Sequence, residues 1–423
     1  MTRTHGDAPA RWQQCAACGD RLDELDPRTV CPECGGLLDV LFHTPPGRGA
    51  ELRRAFGERV TLGGRPVEVS GVWRYAELMM NVEADLVVSF PEGNTPVIES
   101  ERVSEWTGCA RLRLKHEGLN PTGSFKDRGM TVGVTQARRV RARAVACAST
   151  GNTSASLAAY AALAGLPAIV LVPAGQVAAG KLQQTLAYGA KTLAVRGDFD
   201  TCLTLLRQAA DRLGVYVLNS VNPWRIEGQK SIVFELLQQL DWKAPDWIAL
   251  PAGNLGNTAA FGKALDEASR LGFIDRIPRL LAVQAKGAAP FYASFLTEFS
   301  ERHATRAETV ATAIRIGDPA SYDRGVRAIR LTSGAVLSVP DESILDAQDC
   351  VKAAGIGCEP ASAAAVAGVR EALNSGLIGP DESVVAVLTG HLLKDPAVAG
   401  GIHRNAPVEV DASLGAIESA ILT

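Results

Sequence analysis

Between residues 96 and 396 the chain alternates two kinds of stretch. Short apolar runs read as strands: ARLRLKHE, ARAVACAS, PAIVLVP, AKTLAVRG, VYVLNS, DWIALPAG, RLLAVQA and SVVAVLTG. Between them lie Ala-rich segments with apolar positions at helical spacing, over 124–139, 153–164, 178–188, 199–213, 226–240, 257–271 and 359–374. Apolar strands alternating with helices predict βαβ units, and hence an α/β fold with parallel sheets buried on both faces. Residues 300–330 carry the weakest pattern, and TAIRIGDPASYDRG within them predicts an ordered loop. Residues 43–95 read as a linker with a few helices. Residues 397–423 form a tail too short for a regulatory domain.

Residues 12–42 have a different character. Cys15, Cys18, Cys31 and Cys34 form two C-x2-C pairs twelve residues apart. Two such turns bring four thiolates within tetrahedral reach of one Zn²⁺, and Gly19 and Gly35 suit the tight knuckles. A ribbon without metal and a redox pair are the alternatives. The segment between the knuckles is acidic (Asp20, Asp23, Glu24, Asp26), which favours a structural role over DNA contact.

Composition narrows the classes. The 423 residues are 47% apolar and 21% charged, as in a globular protein, with a net charge of −3. That balance offers no general attraction to nucleic acid or anionic membrane. The one basic run, RRVRARA at 138–144, reads as a solvated helix C-terminus, where cations are favoured. No apolar run approaches the roughly 20 residues that span a bilayer, and the polar N-terminus lacks a signal-peptide pattern. The expected location is the cytoplasm. There the other five cysteines read as small buried hydrophobes.

Chemistry gathers in the loops after the strands. In open parallel sheets ligands bind beyond the strands' carboxyl ends. Five segments rich in Gly, Asn, Ser and Thr sit there: GLNPTGSFKDRG, STGNTSAS, VNPWRIEGQK, GNLGNT and TGHLLKDP. The turn at Gly253, Asn254, Leu255, Gly256 and Asn257 opens a helix, so backbone N–H groups and the helix dipole can hold a phosphate. It lacks the Gly-Lys-Ser/Thr ending of a nucleotide-hydrolysing loop. An ordinary strand-to-helix turn is the plain alternative. In STGNTSAS, Asn152 can donate to a flat ligand, while Ser149 and Thr153 can bind a second anion or merely cap a helix. Asn219, Ser220 and Arg225 follow another strand, and Arg225 suits a bidentate grip on phosphate or carboxylate, with a solvated arginine at a helix start as the plain alternative.

Lys126 stands at the expected start of a helix, where the dipole disfavours a cation. Burial beside positive potential lowers a lysine's pKa and leaves a nucleophilic amine. Such an amine suits condensation with the aldehyde of pyridoxal phosphate.

From FPEGNTP to TGHLLKDP, about residues 90–396, these blocks resemble the threonine synthases, a family of fold type II pyridoxal-phosphate enzymes. NPTGSFKDRGM, ASTGNTSAS, NSVNPWRIEGQK, PAGNLGN, ATAIRIGDPAS and LTGHLLKDP all carry the resemblance. It implies a core of two open, largely parallel α/β domains with the cofactor in the cleft between them. By position, it implies that Lys126 carries the cofactor, Phe125 lies near its ring, and Asn152 bonds its 3-hydroxyl. Residues 253–257 would hold its phosphate, and Thr389 would face the ring nitrogen. Ser149, Thr153, Asn219, Ser220 and Arg225 would bind the phosphate of O-phosphohomoserine, and the enzyme would be a homodimer. Relatives often carry Gly where Leu392 stands. Nearby alternatives are a threonine or serine dehydratase and a cysteate synthase. A zinc-ribbon binding protein with an inactive core is the alternative of another class.

Overall fold

Three sheets carry the chain in the computed structural model, which describes residues 11–43, 48–61, 67–175, 179–395 and 409–422. In chain order the strands are β1 (Arg11–Cys15), β2 (Arg21–Asp23), β3 (Leu38–Phe42), β4 (Val97–Ile98), β5 (Leu112–His116) and β6 (Ala144–Ala148). They continue as β7 (Ala168–Pro173), β8 (Lys191–Val195), β9 (Val215–Val217), β10 (Trp247–Pro251), β11 (Arg279–Ala285), β12 (Ala335–Val339) and β13 (Val384–Leu388). The expectations for residues 1–10, for 396–408 and for parts of the 43–95 linker fall outside the described residues.

The architecture is α/β. One sheet runs β8-β7-β6-β9, parallel throughout. The other runs β12-β11-β10-β13-β5-β4, parallel except for the short β4 at its edge. Strands β6, β10 and β13 are buried at every position, and they are the near-continuous apolar runs AVACA, WIALP and VVAVL. Helices on both faces of a parallel sheet require that composition. Strand β8 lies at an edge, and its KTLAV is mostly exposed or half-buried.

Eight of these strands match the expected runs. The helix after β5 spans Lys126–Arg139, and that before β10 spans Pro223–Gln239. Both are almost wholly buried and cross between the two sheets, packing on each other. The expected loop over TAIRIGDPASYDRG needs correction at its end, because a helix runs Tyr322–Leu331. Its buried face, Tyr322, Val326 and Ile329, has helical spacing but is diluted by charged neighbours. Strand β12 and the helices Pro290–Leu296 and Asp341–Ala353 were also not among the expected elements.

The N-terminal segment is a three-stranded antiparallel ribbon, β2-β1-β3. It docks on the core through Asp39, which pairs with the buried Arg324 at 2.8 Å and with Arg327 at 2.6 Å. Arg139 donates to Glu24 at 2.8 Å, so the basic run seen in the sequence is partly spent on the ribbon. Val40 joins the main apolar core. Among the described residues no helix is long and apolar enough to cross a membrane.

Candidate active site

All five Gly- and Asn-rich loops line one cavity of about 1200 Å³ between the two sheets. Lys126 is the first residue of its helix. Two of the loops are stitched together around it. Phe125 N–H donates to Thr389 O at 3.0 Å, His391 N–H donates to Gly123 O at 2.8 Å, and Ser124 bridges Gly390. Asp127 closes the turn before the helix. Its carboxylate accepts from Thr122 N at 2.7 Å, Thr122 Oγ1 at 2.6 Å and Ser156 Oγ at 2.6 Å. Burial nonetheless pushes Asp127 up to about 6. Behind it Arg128 ion-pairs with Glu117 and Glu235, 2.7 Å each, in a fully buried cluster that also takes Lys115.

Lys126 Nζ lies 4.1 Å from the centroid of the Phe125 ring. Among the described residues it has no hydrogen-bond partner. Burial, then the charge of Arg225, lower it to about 7, against the opposing pull of Glu359. The amine is therefore substantially neutral near physiological pH and faces the cavity.

The turn after β10 supplies one anion site. Leu255 adopts a left-handed conformation, φ 62°, and starts the helix Gly256–Arg270. Its strain is offset by packing of Leu255 against Gly325, where a Cβ would come within 2.9 Å. Gly253 passes so close to Ile314 that a Cβ would lie 3.1 Å from its Cα. The first N–H groups of the helix have no helical acceptors. Both polar atoms of the Asn257 side chain, and Thr258 Oγ1, are buried without partners among the described residues. Asn254 instead braces the wall, its Oδ1 accepting from Ala320 N at 3.2 Å.

The second group is less uniform. Ser149, Thr153 and Ser220 line the cavity. Asn219 also lines it, but its amide is bonded to Ala148 on both sides, donating to O at 3.0 Å and accepting from N at 3.1 Å. Arg225 is not on the wall. Asn222 caps the Pro223–Gln239 helix by accepting from Trp224 N and Arg225 N. The Arg225 side chain runs through the interior, where Nη1 donates to Leu218 O at 3.1 Å. Its Nε and Nη2 have no partner among the described residues, and burial lowers the guanidinium to about 10.

Thr389, 4% exposed, lines the cavity with its Oγ1 3.0 Å from Ser362 Oγ. No carboxylate contacts that hydroxyl among the described residues. Leu392 is off the wall and packs against Gly357, so it does not reshape the cavity. Its neighbours Leu393 and Lys394 do line it. Lys394 Nζ crosses the cleft to Thr122 O at 3.0 Å and Gln184 Oε1 at 2.6 Å. Glu359, also on the wall, was not found from sequence. CEPAS carries no local signal for a ligand loop, and the partners of Glu359 are remote in the chain.

The donor set fits pyridoxal phosphate. It combines an amine without a hydrogen-bond partner among the described residues, an aromatic ring beside it, orphaned donors at a helix N-terminus, and a neutral hydroxyl on the wall. The ribbon's four thiols fit zinc. Their sulfurs lie within 4.8 Å of one another, three pairs at 3.4 to 3.6 Å. Tetrahedral Zn–S bonds of about 2.3 Å require sulfurs about 3.8 Å apart. Burial opposes ionisation of Cys15, yet N–H groups of Cys18 and Ala17 aimed at its sulfur outweigh it and bring it down to about 6.

A family model described as pyridoxal-phosphate dependent enzyme matches residues 88–390. The chain is 45% identical over 410 residues to the threonine synthase of Methanosarcina acetivorans, covering 96% of this chain and 98% of that one. It is 49% identical over 328 residues to the threonine synthase of Mycobacterium leprae, covering 77% and 89%. Among solved structures, Escherichia coli threonine synthase superposes with a TM-score of 0.71 over 97% of this chain and 95% of that one, at 19% identity. A tomato threonine deaminase gives 0.64 over 86% and 99%, also at 19%. At such identities these two structures show a shared fold.

Proposed function

The chain belongs to the pyridoxal-phosphate dependent enzymes, in the branch of the threonine synthases, and on that premise we propose that it converts O-phospho-L-homoserine and water to L-threonine and phosphate. The observation that carries the substrate is Arg225. A buried guanidinium with two unpaired N–H groups is costly unless an anion completes it. It lies within electrostatic reach of Lys126, and the hydroxyl-bearing Ser149, Thr153 and Ser220 line the same cavity as that amine. A second anion site beside the amine is what a phosphorylated amino acid needs and a dehydratase does not.

Bound in this cavity, pyridoxal phosphate supplies an aldehyde for amines and a ring that withdraws electrons from the carbon bearing the amino group. Lys126 would hold it, the 253–257 turn with Asn257 would bind its phosphate, Asn152 would donate to its ring hydroxyl, and Thr389 would face the ring nitrogen. Phe125 would pack beside the ring. Lys126, its pKa brought down to about 7, is the base assigned to proton transfers at substrate Cα and Cβ. The C–O bond at Cγ breaks with its electron pair going to phosphate, and a proton is delivered to Cγ. Water oxygen then bonds to Cβ, its proton passing to the site's bases, and Cα is reprotonated. Ser149, Thr153, Ser220 and Arg225 would hold the leaving phosphate, and Asn219 would keep β6 and its loop in place.

This reading extends to a cytosolic homodimer with the boundaries stated from sequence: ribbon 12–42, linker 43–95, catalytic core 96–396 and tail 397–423. The deciding experiment measures phosphate release from O-phosphohomoserine, with threonine quantified in the same tube. Equal amounts of both products are expected. 2-Oxo acid without threonine would favour a dehydratase, and turnover of phosphoserine alone would favour a cysteate synthase.

A further inference from the structure

Glu359 immediately precedes the helix Pro360–Asn374, and its carboxylate lies on the cavity wall, 3% exposed. Its N–H donates to Gly390 O at 3.1 Å, which ties it to the loop after β13. The side chain crosses the cleft to Asn152, whose Nδ2 donates to Oε2 at 3.0 Å and to Oε1 at 3.3 Å. Room for it is made by Gly390, where a Cβ would lie 2.4 Å from Glu359 Cδ.

The two ends of an Asn carboxamide have nearly the same shape, and only its partners decide which way it faces. The NH₂ end of Asn152 faces both oxygens of Glu359, the orientation that a carboxylate, which accepts and cannot donate when ionised, selects. One Nδ2 hydrogen is then engaged by the carboxylate, and the second is left for an acceptor in the cavity. Burial pushes the Glu359 carboxyl above its usual range, against the smaller opposing pull of its hydrogen bond from Asn152 and of the Lys394 charge. No other side chain hydrogen-bonds the Asn152 amide among the described residues.

We propose that Glu359 is a positioning residue that fixes the orientation of the Asn152 amide, so that its free N–H is presented to the cofactor's ring hydroxyl. This rests on the reading of Asn152 as a cofactor contact. Glu359 touches neither cofactor nor substrate in this role. Gly390 belongs to the same device, because any larger residue there displaces the carboxylate.

The test titrates pyridoxal phosphate into cofactor-free protein and reads the dissociation constant and the yellow absorbance band. It uses wild type, Asn152→Ala, Glu359→Gln and the double variant. Glu359→Gln keeps the shape but can donate as well as accept, so it no longer selects one orientation of the amide. The expectation is about tenfold weaker binding for each single variant, the low end of what losing an outer-shell partner costs at a metal site. The double variant should be no weaker than Asn152→Ala within about twofold, as for residues acting through one another. If Glu359→Gln binds like wild type while Asn152→Ala is weakened, the positioning role is wrong. Additive losses would overturn it as well, since Glu359 would then act on the cofactor by another route. If Asn152→Ala binds like wild type, the fault lies in the reading of Asn152 itself. Should Glu359→Gln fail to fold by circular dichroism, Gly390→Ala takes its place, with the same weakening expected and wild-type affinity refuting the proposal.

Discussion

Phe125 hangs from Thr389 by one backbone hydrogen bond, N–H to O at 3.0 Å. The residue before Lys126 is thereby tied to the loop that follows the last strand. The loops that carry the amine and the Thr389 hydroxyl are thus joined although they lie far apart in the chain.

Lys126→Ala should abolish phosphate release from O-phosphohomoserine and remove the yellow band of the cofactor-loaded enzyme. Borohydride reduction followed by peptide mapping should place the label on Lys126 in the wild-type protein. Residual turnover near wild type would refute the assigned role.

The lowered lysine also has a thermodynamic signature in cofactor-free protein. Lys126 falls to about 7 when folded, whereas an unfolded lysine keeps about 10.4. Between those values the unfolded chain binds a proton that the folded protein has released. Stability therefore rises with pH from about 7 to 10 through this group. Urea midpoints measured over that window should rise less steeply in Lys126→Met, in which the group is absent.

Arg225→Met should raise KM for the phosphorylated substrate by about 10- to 100-fold, the loss of one or two charge-assisted hydrogen bonds. kcat should change less. Because two of its donors are unpaired without an anion, the same change should leave the cofactor-free protein at least as stable by urea denaturation. Unchanged KM would remove Arg225 from the phosphate site.

The buried cluster beneath the lysine loop carries structure. Arg128 lies between Glu117 and Glu235, and Lys115 shares Glu235. Arg128→Met should cost about 3–5 kcal/mol in denaturant unfolding, because two carboxylates lose their main partner. Lys115→Met should cost less, since Arg128 would still hold Glu235. A loss under about 1 kcal/mol for Arg128→Met would mean that the carboxylates repack or take up protons at little cost.

Cys34→Ser should lower the zinc content of the purified protein below one ion per chain, by elemental analysis. The melting temperature should fall, because Asp39 of the ribbon carries the contacts to Arg324 and Arg327. Turnover per folded molecule should remain, since no ribbon residue lines the catalytic cavity.

Much of this site was legible locally. A parallel strand buried on both faces is an apolar run, and the polar, Gly-rich turn after it marks the ligand end. That logic placed Lys126, Asn152 and the 253–257 turn on loops that line one cavity, and the family resemblance added Thr389 on the same wall. It erred where a side chain's direction mattered. Arg225 has the right chemistry, but its side chain lies in the interior and off the cavity wall. In the 253–257 turn the left-handed position falls on Leu255 and not on a glycine, because Leu255 has Gly325 to pack against.

Local periodicity and turn chemistry are properties of neighbouring residues, so the sequence alone determined the alternation of strand and helix, the ligand-bearing loops and the four-cysteine ribbon. Only the folded chain decided which strands share a sheet, that Asn219 is spent on Ala148, and that Leu392 faces Gly357. It alone brought Glu359 to Asn152 across 207 positions. Such pairings arise from how two sheets and their crossing helices pack, and a residue far away in the chain leaves no mark on its partner's local pattern.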